Sequence, residues 1–284
     1  MKIANLVTRS GPPVGMYRKD PELQRDLALH CHDNVELVVV TSGAGLHCTE
    51  GGRWPVARGD VFAIPVGMAH GYARTRQLQL INLGYDSGRL SGPWARLAGM
   101  PGFAALSLIE PRLRRHQAFA GHLHLAEDAL QDVLGVAAEL ERELARRASG
   151  WEAAAEGWML QLLIRLARHY AQLASPAAAS ALRLSAVVAA IDEHLAQPLD
   201  QDRLAQLGHL SRATLQRLFS AAYGTSVMRY VEQVRIARAR ALLSAGGLPV
   251  GEVAVRVGYP DANHFARVFR RHLGCAPRDF RVHG

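Results

Sequence analysis

Ser211-Arg212-Ala213-Thr214-Leu215-Gln216-Arg217-Leu218-Phe219 is the stretch on which the reading of this chain turns. Its spacing predicts a short helix with two unlike faces. Leu215, Leu218, Phe219 and Ala222 recur at helical period and should face a core. Ala213, Gln216, Arg217 and Ser220 fall on the opposite face. Ser211 suits the cap position, because its hydroxyl can accept a bond from an unpaired first-turn N–H. Leu204 to Gly208 reads as another short helix ending in a turn. Together they make a helix-turn-helix pattern.

The pattern returns fifty residues later. Gly258, Asp261, Phe265, Arg267, Phe269, Gly274 and Phe280 match Gly208, Ser211, Leu215, Arg217, Phe219, Gly224 and Tyr230 at one constant offset. A single pattern of this kind could belong to many helix pairs. Two in register favour a reader of duplex DNA over a helical bundle with an incidental repeat. Charge points the same way. The net charge is +8, and residues 183–284 hold 14 arginines against 8 acidic residues. The basic excess therefore sits where phosphates would have to be neutralised. Only Lys2 and Lys19 are lysines, which explains the use of arginine but not its location.

Residues 185–284 resemble the tandem helix-turn-helix module of the AraC/XylS transcription regulators. The stretch Val250 to Arg281 carries the resemblance: Ala254-x3-Gly258-Tyr259, the Asn263-His264-Phe265-x3-Phe269-Arg270-Arg271 run and Gly274-x2-Pro277. Tyr259-Pro260-Asp261 departs slightly from the family's second turn, and Asp261 remains a good cap. The resemblance implies double-stranded promoter DNA as a partner. It also implies RNA polymerase contact, activation, and a homodimer.

In each unit the helix N-terminus should enter the major groove. Arg217 can donate two bonds to guanine, Gln216 can pair with adenine, and Ala213 can touch a thymine methyl. Arg212 is assigned to phosphate. Asn263 can read adenine with Arg267 on the same face, and His264 can contact base or phosphate. The alternative for the arginines is a solvated face with internal ion pairs.

Upstream, the texture is that of strands. Val35–Val40, Leu46–Thr49, Trp54–Ala57, Val61–Ile64 and Leu78–Leu83 are separated by turn residues such as Ser42-Gly43-Ala44-Gly45 and Gly51-Gly52. This spacing predicts a small sandwich or barrel. His30-x-His32-x3-Glu36-x6-Gly43 and Gly59-x5-Pro65-x-Gly67-x2-His70 match the two cupin motifs, so residues 25–110 or so resemble a cupin barrel. If His30, His32 and Glu36 lie in one extended strand, they share a face. With His70 they form a plausible site for a divalent transition metal: Zn, Ni, Fe or Mn. Arg74 stands where metal cupins usually carry Asn. The same side chains could instead bond a small organic effector. Cys31 is assigned to the core, and His47 to a satisfied strand histidine. The cluster Arg112, Arg114, Arg115, His116 reads as solvated surface rather than a phosphate site.

Residues 86–122 read as loop-rich. Leu130, Val133, Ala137, Leu140 and Leu144, then Met159, Leu162, Leu163, Leu166 and Tyr170, make two stripes of a helical hairpin. It should serve dimerisation, pack on its own barrel, or do both. Ala174 to Ser180 is small and polar, a linker composition.

The expected fold is α+β and multidomain. A sensing barrel occupies 1–122, a hairpin 123–174, a linker 175–184 and a DNA-binding domain 185–284. The helix-turn-helix units lie near 200–223 and 250–273. Three scattered cysteines predict reduced thiols and no zinc framework. Residues 1–30 carry no long apolar run, so no secretion signal is expected; no segment has 18 uninterrupted apolar residues, so no membrane span is expected, and the location reads as cytoplasmic. The functional expectation is an effector-responsive regulator, not an enzyme. The alternatives are a metal-dependent cupin enzyme fused to a DNA-binding domain, or a structural DNA-binding protein without a ligand.

Overall fold

In the computed structural model, which describes residues 7, 12–18, 24–86, 88–89, 92–117 and 119–283, the β-branched run at Val35 becomes one long strand. The strands are β1 (Val14–Arg18), β2 (Leu27–His30), β3 (Val35–Thr49), β4 (Gly52–Ala57), β5 (Asp60–Ile64), β6 (His70–Tyr85) and β7 (Leu123–His124). They form one sheet in the order β1-β6-β3-β5-β7, with β2 added on β6 and β4 on β3. One expected turn is a bend within a strand instead. β3 runs through Ser42–Gly45, and its antiparallel register on β6 shifts three times there. A bulge inserts a residue and bends the strand without ending it. Gly43 takes φ +69 against the Gln77 carbonyl, where a Cβ has no room. β6 bends opposite, at Arg74 (φ 51) and Gln77 (φ 47). The Asp26 carboxylate holds that bend by accepting from the backbone N–H of Arg74 (3.1 Å) and Thr75 (3.0 Å). The curled sheet encloses Val38, Val40, Phe62, Ile64, Leu78 and Leu80.

Residues 86–122 were expected to be loop and are largely helical. α1 (Pro93–Ala98) and α2 (Pro101–Ala104) both start on proline, whose missing N–H costs nothing at a first turn. α2 passes through a π-turn, Ala105–Ile109, into α3 (Glu110–Gln117). Pro111 lies at the start of α3, where its ring would crowd an ordinary helical turn. The wider π-turn accommodates it.

The hairpin forms as α4 (Glu127–Arg146) and α5 (Trp151–Ala171), turning through Arg147 (φ 50) and Gly150 (φ 80). Val133, Leu140, Met159, Leu163 and Tyr170 are buried. α5 packs on α2, and both hairpin helices touch β1. The stripes are therefore largely satisfied within the chain's own first unit, Met1–Ser185.

The expected linker at 175–184 is helix. α6 (Pro176–Glu193) buries Ala178, Ala181, Leu184 and Ile191. Alanine runs are small but are strong helix formers, so composition misled here. Ser175 caps the helix, accepting from Ala178 N–H at 3.0 Å. The buried Ser185 hydroxyl lies 2.7 Å from Leu182 O and 3.1 Å from Pro101 O.

The second unit, Ala186–Gly284, continues with α7 (Gln201–Leu207), α8 (Arg212–Tyr223), α9 (Val227–Ala245), α10 (Val250–Arg256), α11 (Ala262–Leu273) and α12 (Pro277–His283). Part of its core is Ile236, Val253, Val257, Phe265 and Phe269. Among the described residues no single helix is long and apolar enough to cross a membrane.

Candidate nucleic-acid interface and barrel site

α8 and α11 are built alike. Ser211 Oγ accepts from Thr214 N–H, and Asp261 accepts from Asn263 N–H at 2.8 Å. Leu215, Leu218 and Phe219 are buried on α8, as are Phe265, Val268 and Phe269 on α11. Arg212, Ala213 and Arg217 are exposed, and so are Asn263, His264 and Arg267. Gln216 is half-buried and donates to Ser220 Oγ at 3.1 Å. Along residues 211–220 and 261–270 the buried and exposed positions agree at every step but one.

The outward arginines differ in their partners. Arg217 and Arg267 make no ion pair among the described residues, which leaves their donors for an external acceptor. Arg212, assigned to phosphate, is held by the Asp202 carboxylate through both Nε and Nη2. Arg271 binds Glu232 at 2.6 Å, and His272 joins the same carboxylate at 2.7 Å. These bonds tie α11 to α9.

The repeat is not in register through its turns. Leu210 N–H bonds Ala205 O as Tyr259 N–H bonds Ala254 O, an offset of 49. Ser211 and Asp261 cap their helices at an offset of 50. The second turn thus holds one extra residue, Pro260. Gly258 (φ +87) corresponds to His209 (φ 50), not to Gly208. A Cβ on Gly258 would lie 2.5 Å from Leu195 O and 2.7 Å from Arg235 Nη2. Arg235 itself donates to Leu195 O (3.1 Å) and Gln197 O (2.8 Å).

In the barrel, His30, His32, Glu36 and His70 are all buried and do converge. They converge for a different reason than shared strand parity. His30 ends β2, His32 lies in the following connection, and Glu36 sits on β3. His30 stands directly across from His70 on β6. One ring nitrogen from each of the three histidines lies within 4.8 Å of the others. Glu36 Oε2 is 2.7 Å from His32 Nε2 and 3.9 Å from His70 Nε2, while Oε1 has no partner. Burial pushes Glu36 up to about 8. Burial, with His30 and His32 alongside, takes His70 down to about 3. His30 and His32 are also lowered, chiefly by burial. Neutral imidazoles and an under-bonded carboxyl are the donor chemistry a divalent cation requires.

Two neighbours, His47 and Arg114, differ from their sequence reading. His47 is fully buried yet unsatisfied at both nitrogens, 6.0 Å from the His70 ring and 4.5 Å from Phe62. Burial holds it well below the usual imidazole value. Tyr72, whose hydroxyl is also unpaired, pairs with it across β3 and β6. Arg114, assigned to solvent, is buried against Glu110, with Nη2–Oε2 at 2.7 Å. Strand alternation could have flagged His47 and Tyr72 once the β3–β6 register was known. Nothing local flagged Arg114.

Residues 13–163 match the AraC-like ligand binding domain, and residues 204–283 match a helix-turn-helix domain. The transcriptional activator RhaR of Klebsiella pneumoniae is 30% identical over 91% of this chain and 88% of its own length. The activator RhaS of Escherichia coli O139:H28 is 30% identical, covering 92% and 90% respectively. A solved regulator with an AraC-type DNA-binding domain, from Chromobacterium violaceum, is 29% identical over 35% of this chain and 89% of its own, with a TM-score of 0.34.

Proposed function

Because this chain belongs to the AraC family of transcription regulators, we propose that each subunit reads two successive major-groove segments while its barrel senses a small solute. It is an effector-responsive, sequence-specific DNA-binding regulator. The observation that carries the reading face is the matched exposure of α8 and α11. Base contacts fall to Ala213, Gln216 and Arg217 in the first unit, and to Asn263, His264 and Arg267 in the second. The two helices should fall about one helical turn apart, about 34 Å. Arg212 serves less as a free phosphate clamp than as a partner of Asp202.

For the barrel we propose a divalent transition metal held by His30, His32 and His70, with Glu36 completing or orienting the set. The mutual reach of the three rings and the partnerless Glu36 oxygen support it. A cation there would supply positive charge among neutral rings and join β2 to β6. The role proposed is sensing, not turnover, in line with relatives that are activators. Action in the cytoplasm as a homodimer that contacts RNA polymerase belongs to the same proposal.

Metal analysis of the full chain tests the barrel. Purified protein reconstituted with Zn, Ni, Fe or Mn should retain about one ion per chain. His30→Ala, with unchanged far-UV circular dichroism, should retain almost none. Equal retention by the variant, or none by the parent, would remove the metal from the proposal.

A further inference from the structure

Between α3, the β3–β4 turn and the loop entering β6 lies a pocket of about 490 Å³, a size typical of small-molecule sites. Arg112, Arg114, Arg115, Glu50, Trp54 and Met68 are among the residues that line it. Three arginines therefore line one concavity, together with the carboxylate-bearing Glu50. Arg114 is 2% exposed and is neutralised by Glu110, yet its Nη1 has no hydrogen-bond partner. A buried donor without an acceptor is costly. Arg115 is exposed and lies across Gly51, where a Cβ would come within 2.9 Å of its Cδ. Apolar surface from Trp54, Met68, Pro65 and Pro111 makes up much of the rest.

We propose that this pocket binds a small organic acid, its carboxylate placed among Arg112, Arg114 and Arg115 and its apolar body against Trp54. Planar guanidinium groups favour a carboxylate through paired, charge-assisted bonds. Trp54 also belongs to the barrel core, so the bound body would touch the same aromatic cluster as His47 and Phe62. The inference rests on the sensor reading of the barrel and names the chemical class of its organic ligand.

Calorimetric titration of the full chain with phenylacetate and hexanoate tests it, against 2-phenylethanol, hexan-1-ol and inorganic phosphate. The acids should bind, and the alcohols and bare phosphate should bind at least about tenfold more weakly. Arg115→Glu and Arg112→Glu, both at exposed positions, should each weaken acid binding about tenfold or more, while Arg168→Glu on α5 should not. Equal binding of alcohols or phosphate, no binding of either acid, or indifference to both pocket variants would overturn the proposal. DNA affinity measured with and without acid separates the two readings. Acid binding that leaves DNA affinity unchanged would keep the pocket and count against the barrel as sensor. A metal-dependent DNA response with no acid binding would do the reverse.

Discussion

Arg217 and Arg267 occupy the same place on two helices, and neither makes an ion pair among the described residues. Replacing either with Ala should cost about 1–3 kcal/mol of discrimination at its base step. Fluorescence anisotropy on cognate against scrambled operator measures it, and an unchanged ratio would move the reading face elsewhere. Gly258 is a residue of a different kind. Its φ of +87 and the closeness of Leu195 O and Arg235 leave no place for a methyl group. Gly258→Ala should destabilise the second unit by about 1–3 kcal/mol in urea unfolding. Gly208, which the sequence register paired with Gly258, has an ordinary φ of −86 and should tolerate Ala far better.

At the scale of elements, one carboxylate reinforces the backbone pairing of β5 with β7. Asp60 Oδ1 bonds His122 Nε2 at 3.1 Å and His124 Nδ1 at 2.8 Å, and Oδ2 accepts from Ala57 N–H at 2.7 Å. Burial alone would raise Asp60, but these bonds outweigh it and the net shift is downward. Burial likewise opposes charge on His122, and Asp60 reverses that, so its net shift is upward. The lowered Asp60 contributes stability above the ordinary carboxylate value of 3.8 that is lost as pH falls through its folded value. The raised His122 contributes fully below the ordinary 6.5, and its share is lost as pH rises through its folded value. The first unit should therefore be most stabilised by this pair between those limits. His122→Phe should flatten the dependence of its melting midpoint across that range, and an unaltered profile would refute the pairing. The contact of α2 with α5 is as local. A side chain at Gly102 would strike the Ala167 carbonyl, so Gly102→Val should lower that midpoint by several degrees.

For the whole molecule, Ser185 and Ala186, where the two units divide, both belong to α6. Arg183 is exposed near the middle of that helix. Arg183→Pro removes a backbone donor and breaks the helix, at about 3 kcal/mol. If α6 carries the effector signal, the variant should bind operator with unchanged affinity and lose its response to ligand. A retained response would assign the signal to another route. The positive charge concentrated in the second unit should make operator affinity fall steeply with salt, and Arg217→Ala should not abolish that slope.

Residue order alone was enough to specify the amphipathic helices α8 and α11, their Ser211 and Asp261 caps, the paired stripes of α4 and α5, and the identities of the barrel histidines. Those signals are local: they depend on side-chain period and on bonds spanning three or four residues. Tertiary structure decided the rest. Only the pairing of β2 on β6 sets His30 and the connection holding His32 beside His70, and only the β3–β6 pairing, with its bulges near Gly43 and Gln77, seals His47 against Tyr72. Only the packing of α3 against Phe62 and Phe119 turns Arg114 from an apparent surface charge into a buried one. The added Pro260 shows in the backbone bonds of the turn and not in residue spacing, because Gly208 and Gly258 align by coincidence of type while their φ angles differ in sign.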